Sequence, residues 1–177
     1  MIFGLFRKKA HQATVALLHE AIVAQSRLPA LYLPPFGAAD TFEGRFEILT
    51  LNAGLVLSRL SSLPEPGPEI AQALADAIFT RFDDALREKG VSDVGVPKKM
   101  KKLARAFMGR GAAYARAIDE GEDALAAALS RNVLAGEGAG GQDSGRAFAH
   151  YVLDAKARLD AAPIEVFLRG EAPFPAL

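Results

Sequence analysis

The residues of this 177-residue chain that could do chemistry are few, and with one exception their spacing does not suit it. His11 and His19 stand eight apart, two helical turns, too far for one metal ion to bridge, and the third histidine is His150. A metalloprotease helix needs two histidines four apart with a glutamate beside the first, and His19-Glu20 has no such second histidine. The acid pairs Asp83-Asp84 and Glu122-Asp123 are adjacent, so they diverge on a helix and do not share a proton as a general acid and base would. Gly136-x-Gly138-x-x-Gly141 has dinucleotide-loop spacing, but such a loop must join a strand to a helix; this one follows a helical stretch, and no βαβ pattern surrounds it. There is no cysteine, which removes disulfides and thiolate chemistry, and no nucleophile-elbow serine motif. The exception is a set of cations, Lys98, Lys101, Lys102, Arg105 and Arg116. Their chemistry is electrostatic: they can hold an acidic partner or an anionic surface.

These cations belong to one predicted helix. Pro97 suits a first helical position, where its fixed φ is right and its missing N–H is not needed. From there Met100, Leu103, Ala104, Phe107, Gly111, Tyr114 and Ile118 recur at spacings of three and four, the mark of one buried face. Lys98, Lys101, Lys102, Arg105 and Arg116 fall opposite, and no acid occurs between Pro97 and Ile118. The start of a helix carries about half a positive charge, so each lysine there costs about 0.3–1 kcal/mol at low salt. Helix stability therefore does not account for them. Two readings stay open: a solvated face, with Asp76, Asp83 and Glu88 of the preceding helix as its acidic complement where it is paired, or a docking strip for a partner outside the chain. The aromatics of this helix lie on its core face, which disfavours a base-stacking nucleic-acid surface.

The elements around this helix follow from composition and period. Half the residues are hydrophobic and the formal net charge is zero, which describes a globular chain and argues against charge-driven binding to DNA. Strand-favouring runs are scarce, so the expectation is all-α: a single-domain bundle of about six helices with an irregular Pro-rich connection and an ordered C-terminal tail. Helices are expected over 11–27, from Asp40 to about Leu60, over 68–89, from Pro97 to about Glu120, over 122–134 and over 144–161. Asp40 is expected to cap the second of these, with Glu43 reaching back to it. Ile48 to Leu57, apolar on most sides apart from Thr50 and Asn52, reads as the central core helix. Leu31, Tyr32, Leu33 and Phe36 are too apolar for a free linker, and Val166, Phe167, Leu168 and Phe174 suggest a tail laid on the body. Residues 1–10 read as an N-terminal extension before a helical domain over 11–177. Phe3, Leu5 and Phe6 beside Arg7, Lys8 and Lys9 have the chemistry of a membrane-surface contact; the alternative is a terminus that frays or packs on the fold. No stretch is long and apolar enough to cross a membrane.

Two stretches carry a resemblance. Asp40-Thr-Phe-Glu-Gly-Arg-Phe-Glu47, followed by Leu51 to Leu60, is one. Leu86-Arg-Glu-Lys-Gly-Val-Ser-Asp-Val-Gly-Val-Pro-Lys-Lys-Met-Lys-Lys102, continued by Ala106-Phe-Met-Gly-Arg110 and Tyr114, is the other. In this order and spacing they resemble the ubiquinol–cytochrome c chaperone family over roughly residues 30–134, with Asn52, Lys89 and Met108 standing where the pattern has a histidine, a methionine and an aromatic. The resemblance implies an all-helical, non-enzymatic protein without a cofactor. Its client would be newly made cytochrome b, during assembly of the cytochrome bc1 complex at the cytoplasmic face of the inner membrane. A small helical partner, the ribosome or an anionic membrane surface would be further contacts; a module binding RNA or the ribosome through the basic helix is the alternative. By motif position the resemblance assigns partner binding to Lys98, Lys99, Lys101, Lys102, Arg105 and Arg110. It gives structural roles to Asp40, Arg45, Asp93 and Pro97, with Arg45 at least partly buried on an acid and Asp93 capping the turn.

Overall fold

The computed structural model describes residues 2–135 and 143–177, and the side chains of its first helix from His11 onward; the glycine-rich motif at 136–141 lies outside the described residues. Among these, seven α-helices and no strand occur: α1 (Ile2–Ser26), α2 (Phe42–Ser62), α3 (Gly67–Glu88), α4 (Gly95–Glu120), α5 (Glu122–Asn132), α6 (Ser144–Ala161) and the short α7 (Ile164–Leu168). A 3-10 turn over Pro29–Tyr32 lies in the connection between α1 and α2. No described helix is long and apolar enough to cross a membrane.

The all-α bundle is as the sequence predicts, with α6 at its expected bounds. Helix α1 starts at Ile2 instead of His11. No proline interrupts residues 2–10, so the helix runs straight through the segment expected to be a separate extension; the side chains proposed for membrane contact lie outside the described ones. At α2 the cap is Thr41, not Asp40: Thr41 Oγ1 accepts from the Gly44 N–H at 3.1 Å. Asp40 is turned to the Arg45 Nε at 2.5 Å, and that hydrogen bond holds its carboxyl below the usual carboxylate range. Arg45 thus meets an acid as expected, but at the surface, with its side chain 59 % exposed.

The turn into α4 is also built differently. Gly95 and Val96 donate their N–H groups to the Ser92 carbonyl at 2.7 and 3.0 Å, and no side chain caps the helix. Asp93 is exposed and pairs with Arg87 from the end of α3. Pro97 is the third residue of α4, still within the first turn, where N–H groups have no partner inside the helix. Gly90 and Gly121 take positive φ (76° and 112°) where α3 and α4 stop, a conformation that glycine adopts without strain.

Helix α2 divides two apolar clusters and contributes to both. Phe46, Ala53, Val56 and Leu60 join α1, α3 and α7 in one; Ile48 and Leu51 join Leu31, α5 and α6 in the other. The step of four along α3 holds throughout: Ile70, Leu74, Ile78, Phe82 and Leu86 are all buried. The tail packs as expected. Phe167 is fully buried, and Thr14 of α1 donates to the Leu168 carbonyl at 2.9 Å.

Asn52, fully buried on α2, ties these parts together. Its Nδ2 donates to Ser26 Oγ at 3.0 Å, and its Oδ1 accepts from the Tyr151 hydroxyl at 2.6 Å. Gln25 Nε2 reaches both the Tyr151 hydroxyl and the Pro175 carbonyl, each at 3.2 Å. Burial raises the Tyr151 pKa, so the phenol keeps the proton it donates. Asn52→Ala leaves that O–H without an acceptor and is expected to cost about 1–3 kcal/mol in urea unfolding; a loss no larger than that of an exposed alanine replacement would show that the network does not hold the fold.

Candidate functional site

Helix α4 is held to the bundle by its apolar face. Phe79 of α3 meets Phe107 and Phe82 edge-on with ring centroids 5.4 and 5.9 Å apart, and Phe82 meets Phe46 of α2 at 5.4 Å. Tyr114 and Ala117 carry the same face into the second cluster, beside α5. That fixes which way the rest of the helix points.

Lys98, Lys99, Lys101, Lys102 and Arg105 all lie exposed on α4, and none has an ion-pair partner among the described residues. The acids expected to neutralise them are engaged elsewhere or stand apart. Asp83 pairs with Arg87 of its own helix at 2.6 Å, Asp76 accepts from Gln72 at 2.9 Å, and Glu88 makes no ion pair among the described residues. The geometry does not support pairing of the strip by α3.

Arg110 is different. Its Nε and Nη2 donate to the two oxygens of Glu47 on α2, both at 2.9 Å, with the arginine and glutamate side chains 31 % and 13 % exposed. This two-pronged bond raises the arginine's pKa further and makes Arg110 a tie between α4 and α2. The sequence carries a signal for this: Arg110 lies three after Phe107 and four before Tyr114, on the buried face.

Beyond Arg105 the exposed line of α4 changes character. Lys101, Arg105, Met108, Ala112 and Ala115 follow at spacings of four and three, all exposed, with Met108 at 70 %. Their last three line a groove of about 730 Å3 between α2, α3, α4 and α6. Leu51, Leu55, Leu57 and Phe107 contribute apolar wall, and Gly54 and Gly111 have open space where a Cβ would stand. Three lining residues hold buried polar atoms without a hydrogen-bond partner among the described residues: Thr50 Oγ1, Arg59 Nε and the Tyr114 hydroxyl. The Asn132 amide near Tyr114 is turned to the Ala128 carbonyl at 3.0 Å, and burial, with the Glu47 charge beside it, raises the tyrosine's pKa. The sequence does not place this groove, because its walls come from segments more than a hundred residues apart.

The remaining candidates are dispersed. His11 lies 3.8 Å from Glu69 and His150 lies 2.9 Å from Glu122, and no group of histidines and acids among the described residues could hold a metal ion. Asp40 and Arg45 pair at the start of α2, and Asp93 and Arg87 beside the start of α4. If Arg110 is a tie and the strip is free, their replacements differ. Glu47→Ala is expected to cost about 1.5–3 kcal/mol in denaturant unfolding, and Lys101→Ala to stay within about 0.5 kcal/mol of the parent. Equal effects would contradict the distinction.

The comparisons agree with the fold and with both motifs. The profile described as ubiquinol-cytochrome C chaperone matches residues 35–174, from the connection before α2 to the tail. The crystal structure of the Cbp3 homolog from Brucella abortus superposes with a TM-score of 0.84 at 38 % identity, covering 99 % of this chain and 97 % of that one. Among curated proteins there is no significant match. Since the family profile spans α2, the cationic helix and everything between them and the tail, the chain belongs to the ubiquinol–cytochrome c chaperone family.

Proposed function

We propose that this protein is a non-enzymatic assembly chaperone that binds newly made cytochrome b during assembly of the cytochrome bc1 complex, at the cytoplasmic face of the inner membrane. Family membership supports a role in assembling this complex. The observation that carries the client reading is the stripe on α4, where unpaired cations lead directly into an apolar groove. The complement of such a stripe is a polypeptide segment with acids at one end and apolar side chains along the rest. A helix laid in a groove is a common way to read such a segment. Glycine and alanine on the groove walls let a second backbone come close, and the exposed Met108 adapts to differently shaped side chains.

The second reading, an RNA- or ribosome-binding module, uses the same cations. The apolar half of the stripe counts against it, since α4 exposes no aromatic on which a base could stack. An anionic membrane surface or a small helical partner protein remains compatible with the cations as an additional contact.

The test replaces Lys98, Lys101, Lys102 and Arg105 together by glutamate. These side chains are exposed, so the thermal midpoint is expected to stay within about 4 °C of the parent. Co-purification of cytochrome b from the cell is expected to fall to background. Undiminished co-purification would remove the strip from the account. Binding of the parent to bare RNA with a steep salt dependence, and no cytochrome b, would favour the second reading, because released counterions set that slope.

A further inference from the structure

A second cavity, sharing no lining residue with the groove, lies between α1, α2 and α3. Its volume is about 320 Å3. Phe42, Phe46, Leu49, Ile78 and Phe82 supply apolar wall, and Arg27, Arg45 and Arg81 also line it. No aspartate or glutamate is among the lining residues. An apolar cavity whose charged lining residues are all arginines is the complement of one kind of molecule, an apolar body with an anionic end.

The state of each cation supports this. Arg27 is exposed and has no ion-pair partner among the described residues. Arg81 has only a 4.0 Å approach to Asp84, with both side chains largely exposed, a contact of little strength. Arg45 is already bonded to Asp40. A further cation, Lys89, sits over the Phe42 ring at 3.8 Å. Arg27 has a local reason to exist, since it follows the C-terminal end of α1, where a positive charge is favourable. That reason does not extend to Arg81, which lies inside α3. The other polar side chains of the wall are inward-satisfied: Ser26 donates to the Ile22 carbonyl at 2.7 Å and Tyr32 to the Ser26 carbonyl at 2.7 Å. His19 makes no hydrogen bond among the described residues, and burial, then the charge of Arg81, lowers its pKa.

We propose that this cavity binds a single-chain anionic amphiphile of the fatty-acid class, with its carboxylate at Arg27 and Arg81 and its chain along Phe46, Leu49 and Ile78. Guanidinium groups bind carboxylates well because their paired N–H donors match the two oxygens. The volume is at the small end of the ~300–1,000 Å3 range of ligand pockets, which suits one chain and excludes a two-chain lipid. The ligand is the free monomer, because the aromatic walls must enclose its chain. This site is independent of the client reading and can stand or fall without it.

The experiment is calorimetric titration of the purified full chain with laurate below its micelle concentration, with dodecyltrimethylammonium as the cationic counterpart. Laurate is expected to bind one to one and the cationic counterpart to bind at least about tenfold more weakly. Arg27→Ser with Arg81→Ser changes only exposed side chains and is expected to weaken laurate by about tenfold or more. Ala85→Trp fills the cavity from its wall, and with the arginines intact it is expected to abolish binding. Equal binding of the two amphiphiles, or laurate binding unchanged in both variants, would overturn the assignment. So would binding to phosphatidylglycerol vesicles with none to monomeric laurate, which would make the arginines a membrane contact and not a pocket.

Discussion

The structure depends on the burial of α2. Its segment from Ile48 to Val56 is too apolar to face water, and α1, α3, α4 and α6 all pack against it. Asn52, the polar residue at its centre, is tolerated because Ser26 and Tyr151 satisfy both ends of its amide; a buried amide left unpaired would cost several times what the pairing gains. The cover is incomplete along the groove. Gly54, Leu55 and Leu57 line the groove rather than lying under another helix, and nothing occupies the space beside Gly54. This apolar opening on the surface of the protein is thus where α2 lacks a neighbour.

Helix α4 borders that opening, and its charges are placed without regard to its own stability. Its first turn carries no acid and its first three turns are rich in lysine, opposite to what the helix dipole favours. No carboxylate among the described residues pairs with the strip cations: Asp83 pairs with Arg87, Asp76 accepts from Gln72, and Glu47 of α2 is taken by Arg110. Arg110 shows what an arginine on this helix does when its role is internal. It lies on the buried face, takes both oxygens of one glutamate, and anchors α4 to α2. The strip cations do none of these things. Their field adds to the apolar groove one turn further on, so that attraction at a distance and burial at contact act on the same incoming segment.

Sequence made the helices legible because they follow a period. The step of four from Ile70 to Leu86 and the proline and glycine breaks at 64–68 and 90 place α3 closely. Local competition was less legible. Asp40 and Thr41 are both good caps, and only the position of Arg45 one turn later decides that Asp40 becomes an ion-pair partner and Thr41 the cap. Helix α4 starts two residues before Pro97, because the proline signals a first turn without fixing its first residue. The polar network and both cavities were not legible at all. Asn52 meets partners 26 and 99 residues away, and each cavity forms only where three or four helices meet. Patterns in one helix report which face is buried; they do not report where two buried faces fail to meet.

The central claim is that the exposed stripe of α4 touches a client from outside the chain. The most direct measurement is crosslinking in the cell from a photoreactive amino acid at position 101, with the captured partner identified by mass spectrometry. The account predicts capture of cytochrome b, lost when Met108 and Ala112 at the far end of the stripe are both replaced by aspartate. Capture of ribosomal RNA alone, or of no partner while cytochrome b still assembles, would contradict it.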